Sequence, residues 1–294
     1  VLNFQFTITV ITVVQSFLRI AFCFFISFPY QLQAEWYSDT RKMMGTRIHV
    51  ELWADSKQQA GTAIDMAMAE IQRIDWLMNP LNPRSELYRI NQQAAKTPLK
   101  IGAELYWLID KSLYFSRISE GAFDISFSSL GQHYDYRKGT APSEQQIKTL
   151  RPKINYRAIK LDPSNKTLFL AEQGMHLDLG GIAKGYAVDA LAEQLEAEGI
   201  TSYLVEVGGE IRAHGRKVNG DLWRIAIEKP VTTERAVQRI ISVGNHAVAT
   251  SGDYRNYFEE AGVRYSHLID PYTGYPIQHK TVSATIVHPS SMTA

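Results

Sequence analysis

Two glycines between an aspartate and a lysine form the part of the chain best suited to bind an anion. Residues 177–189 read Leu-Asp-Leu-Gly-Gly-Ile-Ala-Lys-Gly-Tyr-Ala-Val-Asp. We expect a short apolar strand to end at Asp178 and a helix to open after the glycines with Lys184 in its first turn. Glycines let backbone N–H groups approach a ligand closely, and a helix N-terminus favours negative charge. The stretch predicts an anion cradle, most readily for phosphate, with a tight strand-to-helix turn as the alternative.

The spacing of these glycines excludes two common phosphate-binding motifs. Gly180, Gly181 and Gly185 fit neither the G-x-x-x-x-G-K-[ST] loop nor the G-x-G-x-x-G dinucleotide fingerprint. Lys184 adds a mobile cation at the same place. Asp178 would repel a phosphate, so we expect its carboxylate to contact a metal ion, a ribose or a base edge instead.

A histidine in a polar loop is the candidate for proton transfer. His267 lies within Ser-His-Leu-Ile-Asp-Pro-Tyr-Thr-Gly-Tyr-Pro over residues 266–276, where we expect a strand to break into a loop. The ordinary pKa of histidine, roughly 6.5, suits general-base work near neutral pH. A lone histidine is more often a surface or satisfied core residue, and this alternative stays open. Ser251 and Asp253 flank a glycine, which indicates a turn first and a ligand loop second.

The composition is that of an ordinary globular protein. The 294 residues include 31 basic and 30 acidic side chains, and 45% of the residues are hydrophobic. Because the charges nearly balance and no basic run occurs, nothing indicates nucleic-acid binding. The only cysteine is Cys23. We therefore expect no disulfide, no cysteine-ligated metal and no thiol nucleophile in the body of the chain.

Residues 1–34 are predicted to be a leader rather than part of the fold. The stretch up to Phe28 is apolar with Arg19 as its only charge, and residues 32–34 offer a small residue for cleavage. This pattern favours a secretory signal peptide and export from the cytoplasm. A retained membrane anchor is the alternative, because the stretch is long enough to span a bilayer. Lipidation of Cys23 is a weaker hypothesis, since bulky Phe22 stands where a small residue is expected.

Residues 35–294 are predicted to form one α+β domain with mixed, largely antiparallel sheets and packed helices. Apolar residues at helical spacing predict a helix over 57–78, a second around 105–113 and a third after the glycine pair. Alternating apolar residues predict strands at 47–53, 161–170 (a hairpin), 203–207, 223–227, 240–243, 247–250 and 283–287. Polar residues 131–145 indicate a surface connection. Hairpin-linked strands between helices favour α+β over a doubly wound fold.

Taken together, these motifs resemble the FAD:protein FMN transferase family, the ApbE-type flavin transferases. The most specific segments are the glycine stretch at 178–189 and the histidine loop at 266–276. Shorter matching segments lie at 44–46, 79–91, 121–124, 207–210, 223–230 and 250–254. The resemblance therefore covers nearly everything after the leader, in order.

The resemblance implies a magnesium-dependent reaction. FAD is cleaved at its pyrophosphate, the FMN half becomes phosphoester-linked to a threonine hydroxyl of an acceptor protein, and AMP leaves. The implied acceptor is an exported redox protein, such as a subunit of sodium-pumping or Rnf-type respiratory complexes. The implied location is the periplasm, with possible attachment to the inner membrane through the leader.

The resemblance also assigns roles to individual residues. His267 matches the proposed base toward the acceptor threonine, and the carbonyl of Gly181 matches a magnesium ligand. The positions that match FAD contacts are Met44, Leu81, Ala122, Phe123, Asp124, Asp178, Lys184 and Ile269.

Two departures from the family pattern bear on activity. Leu81 stands where the family usually has a tyrosine, so aromatic stacking on the flavin, about 0.5–1.5 kcal/mol, is lost. The sequence ends at Ala294, where the family continues with an aspartate and a threonine that ligate magnesium. We expect a C-terminally truncated and impaired enzyme. Two rival functions remain: an FAD pyrophosphatase, in which water replaces the threonine, and an exported FAD-binding protein without catalysis.

Overall fold

The computed structural model describes residues 34–230, 236–252, 257–260 and 263–294. The predicted leader lies outside this part of the chain except for Ala34, and Asp253 lies outside it too. Within the described ranges no helix is both long and apolar enough to cross a membrane. The signal-peptide interpretation stays a prediction.

The described residues contain thirteen β-strands, six of them in one antiparallel sheet. They are β1 (Glu35–Met43), β2 (Thr46–Ala54), β3 (Leu99–Lys100), β4 (Ile159–Asp162), β5 (Thr167–Leu170), β6 (Tyr203–Val207), β7 (Glu210–His214), β8 (Trp223–Glu228), β9 (Val237–Val243), β10 (His246–Gly252), β11 (Tyr257–Glu260), β12 (Val263–Ser266) and β13 (Ser283–His288). The main sheet has the order β1-β2-β6-β7-β10-β13 with antiparallel neighbours. A three-stranded sheet, β3-β5-β4, and the pairs β8–β9 and β11–β12 stand apart.

Helices cover and connect these sheets. The described chain forms α1 (Lys57–Met78), α2 (Glu86–Gln93), α3 (Ala103–Ile118), α4 (Ser128–Gly131), α5 (Glu144–Leu150) and α6 (Gly180–Ala197). Because the helices alternate with antiparallel strands, the predicted α+β class is confirmed.

Helix α1 has the bounds that its sequence predicts. The side chain of Ser56 accepts a hydrogen bond from the Gln59 N–H at the start, and Asn79 caps the end just before a proline. Its apolar stripe packs against the main sheet and α6. The fully or almost fully buried members of that stripe are Ile64, Met68, Ile71 and Ile74.

Helix α6 is fixed along its length by the core. Val188, Leu191 and Leu195, the predicted apolar face, are all completely buried. Gly199, predicted as the stop, follows the helix with φ of 76°, in the left-handed region that glycine tolerates. The N-terminus of α6 therefore has a rigid position.

Three details of the sequence-based interpretation are wrong. No strand ends at Asp178: the backbone of Leu177 bonds to the side-chain amide of Asn91, and the Asp178 N–H donates to the Ile125 carbonyl, so no ladder forms. Lys184 falls in the second turn of α6 because the helix already begins at Gly180. Residues 131–145 are not all surface, since Tyr134 is 5% exposed and packs in a small core with Leu130 and Ile147.

Two methionines on α1 test how much the buried face of this helix contributes to the free energy of unfolding. We expect Met68→Ala, at a residue 1% exposed, to lower the free energy of unfolding by about 2–5 kcal/mol, because it removes buried surface and leaves a cavity. Met66→Ala, on the same helix but 38% exposed, should change it by less than about 0.5 kcal/mol. Urea unfolding of both variants measures the difference; equal losses would mean that α1 is not anchored through this face.

Candidate active site

The sequence-predicted polar groups converge on one cleft of about 730 Å³. Its walls come from the segment after α3, the N-terminal end of α6, the loop after β12 and the last residues of the chain. The predicted site residues that line it are Ala122, Phe123, Asp124, Asp178, Gly181, Lys184, His267 and Ile269. A cleft of this size suits a nucleotide-sized ligand.

Two predicted contacts lie elsewhere. Met44 sits in the turn between β1 and β2 with φ of 51° and packs partly buried against the main core. Leu81, between α1 and α2, is 86% exposed. Neither lines the cleft, so the structure does not bring them together with the other eight positions.

The start of α6 presents backbone to the cleft. Gly180 and Gly181 are both exposed there, and Asp178 Oδ1 accepts a hydrogen bond from the Gly180 N–H at 2.6 Å. Burial raises the pKa of the Asp178 carboxyl, and this bond opposes the rise. An anion-binding helix end next to a carboxylate that is costly to ionise is a combination that packing alone does not require.

A second carboxylate, Glu210 at the start of β7, was not singled out from the sequence. Its Oε1 lies 4.0 Å from Lys184 Nζ, and its Oε2 is buried with no hydrogen-bond partner among the described residues. Burial raises its pKa, while Lys184 lowers it. In the sequence, Glu210 is marked only by its place after the Gly-Gly turn at 208–209. Its distance to Lys184 in the structure shows that it faces the N-terminal end of α6.

Asp124 has a structural role that its predicted contact does not reveal. Its Oδ1 accepts from the backbone N–H and hydroxyl of Ser126, and its Oδ2 accepts from the Tyr156 N–H at 2.8 Å. Burial raises its pKa, and these three bonds oppose the rise. The carboxylate thus fixes the segment that carries Phe123 against the mouth of the cleft.

The loop that follows His267 is shaped by Asp270. Asp270 accepts from the Tyr272 N–H and the Thr273 hydroxyl, and its carbonyl accepts from the Gly274 N–H. Ile269 forms an isolated bridge to Pro276 across the loop. The Tyr272 hydroxyl donates to the Glu120 carbonyl at 2.9 Å, which ties the histidine loop to the segment before Phe123.

The last residues of the chain form a turn against α6. Asp189 accepts hydrogen bonds from the Ser290 hydroxyl and the N–H groups of Ser291 and Met292, at 2.7–3.0 Å. Arg212 donates to the same carboxylate at 3.0 Å. Gly185 lets the turn approach, because a Cβ there would lie 2.7 Å from the Ser291 carbonyl oxygen. The sequence pattern named this aspartate only as the end of a motif.

Known proteins match the part of the chain that forms this cleft. The sequence model of the ApbE family matches residues 44–294. The chain is 38% identical over 263 residues to the FAD:protein FMN transferase of Haemophilus influenzae, covering 86% of this chain and 76% of the relative. It is also 38% identical over 245 residues to that of Vibrio cholerae, covering 82% and 72%.

Solved structures share the fold. The flavin transferase ApbE from Vibrio cholerae superposes with a TM-score of 0.79 at 34% identity, covering 89% of this chain and 84% of that one. An ApbE protein from Thermotoga maritima superposes with a TM-score of 0.80 at 29% identity, covering 88% and 84%. All residues that line the cleft lie within the range that the family model matches.

Replacing Asp178 by asparagine should stabilise the protein as the pH rises. Below the pKa of the unfolded chain, roughly 3.9, the carboxyl is protonated in both states and the variant gains nothing. Between that value and the raised folded pKa the carboxyl ionises in the unfolded chain but stays protonated in the fold, so the wild type loses stability and the advantage of Asp178→Asn grows until the pH exceeds the folded pKa. Urea unfolding between about pH 3 and 8 measures the trend.

Asp162→Asn is the control of opposite sign. Hydrogen bonds from the Asn165 amide and the Ser164 N–H lower the pKa of Asp162. Its ionised form therefore stabilises the fold above the unfolded-state pKa, and its removal should cost stability toward neutral pH. A flat pH profile for Asp178→Asn would contradict the buried, costly carboxylate.

Two helical glycines give a matched test of the close approach at α6. Gly61→Ala on α1, where a Cβ would meet nothing, should raise the free energy of unfolding by about 0.4–1 kcal/mol. Gly185→Ala should instead lower it by about 1–3 kcal/mol, because the Cβ collides with the backbone of Ser291 and Met292. Urea titrations of the pair decide; a stabilising Gly185→Ala would mean that the turn does not pack there.

Proposed function

The chain belongs to the ApbE family of FAD:protein FMN transferases, and from this premise we propose that it uses the cleft to transfer FMN from FAD to a threonine hydroxyl, with magnesium, releasing AMP. The observation that carries the proposal is the convergence of the α6 N-terminus, Lys184 and His267 on one cleft. These are the groups that phosphoryl transfer needs, since its catalysis is mainly positioning and charge neutralisation.

The reaction exchanges the phosphoanhydride bond of the pyrophosphate for a phosphoester bond. The threonine oxygen attacks the phosphorus of the FMN half, the bond from that phosphorus to the bridging oxygen breaks, and AMP leaves with that oxygen. His267 takes the proton from the threonine hydroxyl. Its place in a loop tied down by Asp270 and Tyr272 keeps the imidazole at the cleft as the reaction proceeds.

The α6 end of the cleft is assigned to the pyrophosphate. Gly180 and Gly181 let the backbone approach the phosphates, and Lys184, 41% exposed, lies on the next turn with only a loose contact to Glu210. A lysine held at 4.0 Å from its carboxylate can turn toward a phosphate without breaking a hydrogen bond. Asp178 is assigned to a neutral hydroxyl or N–H of the substrate, because a carboxylate repels phosphate.

The flavin end is assigned to the apolar side of the cleft. Ala122, Phe123 and Ile269 line it, and Asp124 holds the segment of Ala122 and Phe123 in place. Met44 and Leu81 lie outside the cleft, and their assignment as FAD contacts requires that the substrate extend beyond it.

Magnesium fits the donors that the cleft offers. Asp178 and Glu210 line the cleft that is proposed to bind a pyrophosphate, and burial opposes the ionisation of both carboxyl groups. One oxygen of Glu210 is buried without a hydrogen-bond partner among the described residues. A divalent cation offsets this concentration of negative charge, and Mg²⁺ accepts one or two protein oxygens together with phosphates and water. The Gly181 carbonyl is the proposed protein ligand. When bound, the ion polarises phosphate oxygens.

The acceptor is proposed to be a redox protein outside the cytoplasm. The predicted leader supports export to the periplasm, by cleavage or with inner-membrane attachment. The histidine loop carries two exposed aromatic side chains, since Tyr272, which lines the cleft, is 53% and Tyr275 44% exposed. This loop is the proposed entry for the threonine-bearing segment.

Replacing His267 separates binding from transfer. We expect His267→Ala to leave the FAD dissociation constant nearly unchanged and to slow transfer by about 10²–10⁴-fold, because the proton acceptor is lost. AMP release and protein-bound flavin are followed together, with Mg²⁺ and a threonine-bearing acceptor. His279→Ala, at an exposed histidine outside the cleft, is the control and should transfer as wild type does.

The same assay distinguishes the rival functions. Free FMN and AMP without acceptor would identify a pyrophosphatase, and bound FAD without AMP would identify a binding protein. Undiminished transfer by His267→Ala would remove the histidine from the mechanism.

A further inference from the structure

We propose that the hydroxyl of Ser291 is a further substrate-binding group, which donates a hydrogen bond to a phosphate oxygen of the nucleotide at the α6 end of the cleft. The proposal rests on the function proposed above and adds a residue to its phosphate site. No motif in the sequence pointed to this serine.

The hydroxyl of Ser291 is a polar group left unpaired inside the protein. The residue is 3% exposed and lines the cleft, yet its Oγ has no hydrogen-bond partner among the described residues. A buried polar atom without a partner costs folding free energy, so most such atoms in folded proteins are paired. An unpaired hydroxyl on the wall of a cleft is explained by a partner that arrives with the ligand.

The backbone around Ser291 is fixed, so its shielded hydroxyl reaches a ligand in the cleft by rotation of its own side chain. Asp189 accepts from the Ser290 hydroxyl and from the N–H groups of Ser291 and Met292. Arg212 holds the same carboxylate from the other side at 3.0 Å. Asp189 is therefore the positioning residue of this turn.

The contact with Gly185 places Ser291 beside the phosphate end of the cleft. The Ser291 carbonyl packs on Gly185, which lies directly after Lys184 and one helical turn after Gly181. Four residues of helix span about 6 Å along the axis, which is within the length of a pyrophosphate and its first contacts. The positive end of the helix dipole and a lysine already favour an anion there, and a hydroxyl is a suitable donor to it.

A ligand panel tests the phosphate contact. With Mg²⁺ present, dissociation constants for FAD, riboflavin and inorganic pyrophosphate are measured on the full chain for wild type and Ser291→Ala. We expect FAD and pyrophosphate to bind about 10-fold or more weakly to the variant, because a hydrogen bond to a charged group is lost. Riboflavin, which has no phosphate, should bind equally to both.

Two further variants separate this role from a general loss of packing. Ser112→Ala removes a hydroxyl that is equally buried, bonded to the Leu108 carbonyl within α3 and outside the cleft, and should leave all three ligands unaffected. Asp189→Asn keeps the size of the positioning side chain but must turn a donor toward one of its four partners. It should weaken FAD and pyrophosphate at least as much as Ser291→Ala does, and spare riboflavin.

The outcomes are separable. Unchanged FAD and pyrophosphate binding in Ser291→Ala, or an equal loss for riboflavin, would overturn the proposal. A wild-type chain that binds pyrophosphate but not FAD would instead overturn the proposed function, while the pyrophosphate result would still decide the role of Ser291.

Discussion

The fixed position of helix α6 is the constraint on which the rest of the cleft depends. Its apolar face is completely buried between α1 and the main sheet, so its N-terminus cannot shift without opening the core. The last turn of the chain is tied to this helix through Asp189 and Gly185. The histidine loop is tied to the segment before Phe123 through Tyr272. A ligand at the helix end therefore meets walls whose positions are already set.

The cleft concentrates groups that folding alone would avoid. Burial opposes ionisation of Asp178 and Glu210, and two polar atoms, Glu210 Oε2 and Ser291 Oγ, are buried without a hydrogen-bond partner among the described residues. Each lowers the stability of the free protein, since unpaired buried polar groups and costly charges weaken the folded state. Both residues line the same cleft as Lys184. Stability is given up where a bound ligand can satisfy these groups.

The local sequence pattern predicted most helices and strands, and it failed where contacts between distant residues determine the structure. Helix α1, the 161–170 hairpin and the strand of residues 203–207 follow from periodicity and turn residues, because each is specified by its own sequence. The segment before Asp178 has a strand-like composition but pairs with the side chain of Asn91, 86 residues away, so periodicity could not reveal it. Eight of the ten predicted site residues share the cleft, whereas Ser291 and Glu210 became visible only through burial.

The two aspartates that bracket the glycine stretch show why residue type alone does not assign a role. Asp178, before α6, receives one backbone hydrogen bond, and burial raises its pKa. Asp189, on the third turn, receives donors from two side chains and two backbone N–H groups, which is close to the capacity of a carboxylate. A saturated carboxylate holds structure in place, and an unsaturated one has oxygen left for a ligand. The number of donors that the fold supplies, rather than the motif, separates Asp189, which holds the turn, from Asp178, which we propose to bind the substrate.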